Sequence, residues 1–273
     1  VLFRQYVGRL LGFETLRSVT SAHGSREGAG SNALMAMYAI SFARTHGLAY
    51  VHTPFSEIYH ADRPIAEWSA AWDKLFNLGA GAAASRSTPV NFALTCMDLW
   101  SLFGDAVPQP FSAEMVAEFR RRYYIDKSPR KNTTLSVAIH ARHRNREDTD
   151  DVVAADLAQL AAVVSQLRAM LAESGTPCTL RLFSQGAAQD FAALGLASDE
   201  LCLDADPFWS MRELIEADLL VTTKGTFSYV ASLLCDGVVL ADSSEYPPQP
   251  GWVPYDSSGG FDTATVLRLL SRV

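Results

Sequence analysis

Ser136-Val-Ala-Ile-His-Ala-Arg-His-Arg-Asn-Arg-Glu-Asp148 decides how this chain is read. The apolar run from Leu135 to Ile139 has the length of a strand and stops at His140, after which four basic residues fall within six positions. In an open α/β sheet, ligands gather outside the carboxyl ends of the strands. An arginine fixed at such an end suits a phosphate, because the guanidinium offers two parallel charge-assisted hydrogen bonds. The chain as a whole is acidic, with a net charge of −7 and a pI near 5.4, so this basic knot stands out. The alternative is that Arg142 anchors the acidic tail Glu147 to Asp151. Isolated surface pairs contribute little, however, and do not account for such a concentration. The stretch therefore predicts an α/β fold with a phosphorylated, nucleotide-bearing ligand at this loop.

Downstream of it, helix-like and strand-like segments alternate. A long amphipathic helix is predicted over 153–173, a strand over 178–183, a short helix near 187–194 and a weak strand at 200–203. A helix at 208–216, a strand at 219–223, a helix at 227–235, a strand at 238–241 and a closing helix at 262–270 follow. Regular alternation of this kind implies a parallel sheet with helices on both faces. Upstream, a strand at 16–21, a Gly-rich loop at 22–31, a helix at 32–46 and a strand at 48–52 form one βαβ unit. Ser112 marks a further N-cap. The polar, Pro-containing stretch from Asp126 to Thr134 reads as a linker. The expected organisation is two facing α/β domains, 1–130 and 131–273, with the last helix able to pack back on the first.

Composition narrows the function. Hydrophobic residues make up 48% and charged residues 19% of the 273, as expected of a folded globular chain. No basic stripe is available to neutralise a nucleic-acid backbone. No apolar run approaches the ~20 residues that span a bilayer. Val1 is followed by no signal-peptide pattern, and the chain reads as part of a longer protein. Cys96, Cys178, Cys202 and Cys235 lie far apart and are expected to be mostly buried free thiols.

Three constellations carry chemistry. His140 and Arg142 come first. In the second, Thr223-Lys-Gly-Thr226 follows a buried strand, which places Thr226, Phe227 and Ser228 at a helix N-terminus. Free N–H groups and the helix dipole favour an anion there, Thr226 serves as N-cap, and hydroxyls at Thr226 and Ser228 can reach phosphate. The third is the loop Gly24-Ser-Arg-Glu-Gly-Ala-Gly-Ser-Asn32, in which Glu27 is a candidate general base towards a hydroxyl. Its glycines, Gly28 and Gly30, match neither a dinucleotide fingerprint nor a Walker loop. Asp148-Thr-Asp150 and Asp204-Ala-Asp206 are short acidic patterns of the kind that can hold a cation, but chance alone produces them often, and no metal is assigned. His46, His52, His60 and His143 lack metal-ligand spacing and evident carboxylate partners.

Taken together, these motifs resemble the inverting GDP-fucose fucosyltransferases, especially the α1,6-fucosyltransferase group that includes the rhizobial nodulation enzyme. The segment His140 to Asp148 is similar to their His-x-Arg-x-Gly-Asn/Asp motif. Ala217 to Ser228 is similar to their final strand and Ser/Thr-Phe-Ser turn, and the Gly-rich loop with Asn32 to their N-terminal motif. The resemblance implies a GT-B fold with two Rossmann-like domains and a nucleotide held mainly by the second. It implies that Arg142 grips the diphosphate beside His140, with Thr226, Phe227 and Ser228 at the phosphates, Asp218 near the nucleotide-binding edge, and Gly28, Gly30 and Asn32 on the donor side as well. It also implies a metal-independent transfer of fucose from GDP-fucose to a glycan or protein hydroxyl. On this reading the compartment is cytoplasmic in a bacterium, or the Golgi or secretory lumen in a eukaryote. Arg144 and Arg146 stand where the family carries glycine or small residues. The competing readings are transfer from another nucleotide sugar, and a non-catalytic glycan- or nucleotide-binding protein of the same fold.

Overall fold

The computed structural model describes residues 17–21, 27–84, 92–94, 111–143, 154–242, 244–246 and 248–272. Two compact units divide the chain after Lys127. Each is α/β, and each is built on a parallel sheet.

In the first unit, β1 (Ser18–Ser21), β2 (Ala49–His52), β3 (Ala83–Ala84) and β4 (Phe92–Leu94) lie in the order β3-β2-β1-β4. Helix α1 (Ala29–Thr45) crosses from β1 to β2. Ala33, Ala36, Met37 and Ala39 are fully buried along it, so small side chains bring it close to the sheet. Trp72 and Phe76 of α2 (Ile65–Phe76) are stacked at 5.5 Å and buried, as their helical spacing predicts. Ser112 caps α3 (Ala113–Tyr124), accepting from Met115 N at 3.3 Å.

The second unit has β5 (Leu135–His140), β6 (Cys178–Ser184), β7 (Leu201–Leu203), β8 (Leu219–Thr222), β9 (Val238–Asp242) and β10 (Val253–Tyr255). Their order is β10-β9-β8-β5-β6-β7, all parallel. Alternation of side chains along the strands sets the two layers. Val137, Ile139, Leu182, Leu219 and Val221 face one core, which they share with α4 (Leu157–Ser174) and a 3-10 helix (Ala188–Leu194). Burying each such side chain stabilises by roughly 1.5–3 kcal/mol. On the other face lie α5 (Pro207–Ile215) and α6 (Thr226–Leu234). The closing helix α7 (Thr263–Leu270), which the sequence allowed to return to the first unit, packs on the second: Val266 is buried in the core beneath β9.

Aspartates start three of these helices: Asp156 begins α4, Asp206 begins α5 and Asp262 begins α7. Each carboxylate accepts from first-turn N–H groups that have no partner within the helix. The Asp204-x-Asp206 pattern is explained in part by this role. Its second carboxylate accepts from Trp209 N at 2.7 Å.

Candidate functional site

Chain order across the second sheet reads 3-2-1-4-5-6, so connections leave β5 and β8 in opposite directions. At a topological switch of this kind, ligands of open α/β sheets bind outside the carboxyl ends of the two strands. His140 ends β5 and is paired with Thr222, which ends β8. Thr223 then stitches the two loops together. Its Oγ1 donates to His140 O at 3.1 Å and accepts from Arg142 N at 3.0 Å. Arg142 is held on its other side by Ala155 N, which donates to Arg142 O at 2.7 Å. The arginine backbone is thereby fixed at the switch point, and its side chain runs across Gly225.

Gly225 is required by its backbone rather than by the space it leaves. Its φ of 100° and ψ of 151° lie where residues bearing a Cβ are strained. It also corrects the expected cap: Gly225 is the N-cap of α6, and Thr226 is the first residue of the helix. No side chain of the cap residue covers the N-terminal amides. Instead, Gly225 N donates to Glu245 Oε2 at 2.7 Å.

Behind this turn, His140 Nδ1 and Ser228 Oγ are hydrogen-bonded, and the His140 ring lies 5.1 Å from that of Phe227. Ser228 is fully buried and also reaches Lys224 O. Its hydroxyl therefore positions His140 and the turn, in place of the direct phosphate contact expected of it. Burial, assisted by the Arg142 charge, pushes the His140 imidazole down to about 3. A neutral histidine beside Arg142 leaves the local positive charge on the guanidinium.

Asp218 requires a larger correction. It precedes β8, at the amino end of the strand, the opposite edge from His140 and Thr226. Its Oδ2 accepts from Ser136 N at 2.8 Å and Asn132 Nδ2 at 3.0 Å, which locks the start of β5 against β8. The sequence showed a carboxylate near a strand. The direction of the strand decides which edge that carboxylate serves.

The Gly-rich loop belongs to the first unit. Glu27 is exposed and bridges to Ile58, with its carbonyl accepting from Tyr59 N at 3.0 Å. Asn32 is buried, and its Nδ2 donates at 3.1 Å to both Glu27 O and Gly28 O. Asn32 thus holds the loop's last turn rather than presenting its amide to a ligand. Gly28 is the N-cap of α1, and Gly30 is buried in its first turn. Arg26, Arg144, Arg146, the Asp148-x-Asp150 pattern and Cys96 lie outside the described residues. Of the remaining cysteines, Cys235 is buried, Cys202 is intermediate and Cys178, at the open start of β6, is exposed against expectation.

Thr223 and Glu245 were not singled out by sequence reasoning. Thr223 carried a signal, being the second of two threonines that end the apolar run Leu219 to Val221. Glu245 carried none, since it meets Gly225 from 20 positions away. His52 gains a carboxylate partner that its sequence neighbourhood did not reveal. Its Nε2 pairs with Asp73 Oδ1 at 2.9 Å while Nδ1 meets Tyr50 OH at 2.9 Å, so both ring nitrogens are engaged. A cavity of about 340 Å³ lined by Arg168, Cys178 and Glu200 lies at the amino end of β6, away from the switch point. Among the described residues no group of acidic, histidine and cysteine side chains is arranged to hold a metal, and no helix is long and apolar enough to cross a membrane.

No protein-family model matches the sequence, and no curated protein matches it. Among solved structures, the chain is similar to the fucosyltransferase NodZ from Bradyrhizobium, with 14% identity over 90% of this chain and 97% of that one, at a TM-score of 0.42. It is similar to the E. coli heptosyltransferase WaaC with ADP-2-deoxy-2-fluoro heptose, with 11% identity over 94% and 99% and a TM-score of 0.38. The UDP-GlcNAc 2-epimerase from Methanocaldococcus jannaschii matches at 9% identity over 100% and 73%, with a TM-score of 0.34. At scores this low the likenesses carry no argument about function.

Proposed function

We propose that the chain is a glycosyltransferase that takes a sugar from a nucleotide donor, and specifically an inverting, metal-independent enzyme transferring fucose from GDP-fucose to a glycan or protein hydroxyl. The observation that carries this reading is the meeting, at one switch point, of the Arg142 side chain with the N-terminus of α6 across Gly225. Both favour negative charge, and together they suit a diphosphate. The choice of guanine and fucose rests on the motif resemblance.

In this reaction the acceptor oxygen forms a bond to the sugar C1 from the face opposite the diphosphate. The bond from C1 to the phosphate oxygen breaks, and its electron pair leaves with GDP. Arg142 and the α6 amides stabilise that developing charge, the task a metal ion performs elsewhere. Neutral His140 fixes the turn through Ser228 and does not add a proton. Glu27 takes the acceptor proton as general base.

The test is a transfer assay with GDP-fucose and a glycan acceptor panel, run beside GDP titration. Glu27→Gln is expected to lower transfer by about 10²–10⁴-fold while GDP affinity is retained. Transfer at the wild-type rate would remove Glu27 from the mechanism. Tight GDP binding with no transfer or hydrolysis in the wild type would favour a binding protein instead.

A further inference from the structure

The carboxylate of Glu245 sits on the amide that opens α6, at 2.7 Å. Glu245 lies in the loop leaving β9, the strand next to β8, and it is exposed. The loop is held on either side without its help. Ser244 N donates to Asp242 Oδ1 at 2.8 Å, and the Tyr246 ring stacks on Tyr229 at 4.4 Å and 16°. Glu245 takes part in neither of these contacts, and it rests where the helix most favours an anion. A carboxylate shares with a phosphate its negative charge and its acceptor oxygens.

Resting on the diphosphate reading above, we propose that Glu245 is an internal stand-in for the ligand phosphate. It occupies the Gly225 amide, and an arriving diphosphate displaces it. Two consequences follow from charge. The displaced carboxylate stays tethered nearby and opposes the incoming anion, which lowers affinity. The same opposition speeds release of a product that still carries its phosphates, because Glu245 returns to the amide as the product departs. The device acts on phosphate alone, so a neutral nucleoside does not sense it.

Calorimetry with inorganic pyrophosphate and with guanosine, on wild type, Glu245→Ala, Glu245→Gln and Arg142→Ala, tests this. Glu245→Ala is expected to bind pyrophosphate about tenfold more tightly than wild type. The difference narrows at high salt. Glu245→Gln, which keeps an acceptor without the charge, falls between them and carries the test if the alanine variant is unstable. Guanosine distinguishes none of the Glu245 variants. Where wild-type binding depends on Arg142, equal or weaker pyrophosphate binding by Glu245→Ala overturns this inference and leaves the site intact. If Arg142→Ala binds as well as wild type, or nothing binds, the site reading and the inference fall together.

Discussion

His140 shows how a single side chain reports on its site. The folded chain keeps its imidazole neutral down to about pH 3, because burial and then Arg142 disfavour the charged form, against 6.5 when unexposed to either. Below pH 6.5 the unfolded chain binds a proton that the folded chain refuses. His140 therefore lowers stability as pH falls from 6.5 towards 3, by about 1 kcal/mol per pH unit, and costs nothing above 6.5. Urea unfolding at pH 7 and pH 5 should show wild type losing roughly 1–2 kcal/mol more than His140→Gln over that interval. Glu118, held down to about 2 chiefly by its hydrogen bond to Arg121, responds only below its ordinary range and does not confuse the window. Equal losses in the two proteins would contradict the neutral histidine. At this scale the sequence located His140 and Arg142 because a strand end is visible as the point where an apolar run stops. It could not assign Ser228 or Asp218, since one depends on which way a helix face turns and the other on strand direction.

At the scale of elements, the critical piece is the turn into α6. Gly225 has a positive φ, and a Cβ there would meet Arg142 Cδ at 3.6 Å, an ordinary contact. The cost of Gly225→Ala is therefore backbone strain rather than collision, about 1–3 kcal/mol. Chemical denaturation should show that loss together with weaker pyrophosphate binding, because relief of strain re-aims the first amides of the helix. An unchanged midpoint and unchanged binding would mean that the turn does not need its left-handed residue. Most helices and strands of the second unit were legible from periodicity, and the Asp156 and Asp262 caps follow the same logic as Ser112. The exceptions have physical reasons. A Gly-Thr pair reads as a threonine cap until φ is known. The strand Val253–Tyr255 is three residues with a proline at its centre. The strand Ala83–Ala84 consists of two alanines, which carry no strand signature.

For the whole molecule, alternation along the chain announced parallel α/β units, but the order of strands is a matter of long-range pairing that no local window contains. The order β10-β9-β8-β5-β6-β7 is what turns two separate motifs, with Arg142 and Thr223 81 residues apart in sequence, into neighbours. Tyr255 on the edge strand reinforces it, donating its hydroxyl to Thr222 O at 2.7 Å across the carboxyl edge. The linker is likewise tied down where it enters the second unit. Arg130 pairs with the buried Glu213 and with Glu216 of α5 and its C-cap, so the start of the second sheet is anchored before β5 begins. The central claim is that this switch point binds a nucleoside diphosphate through Arg142 and the start of α6. Calorimetric titration of GDP into wild type and Arg142→Ala tests it most directly. The account predicts saturable one-site binding that weakens by at least about tenfold in the variant. The same affinity in both proteins, or no binding of millimolar GDP to the wild type, would contradict it.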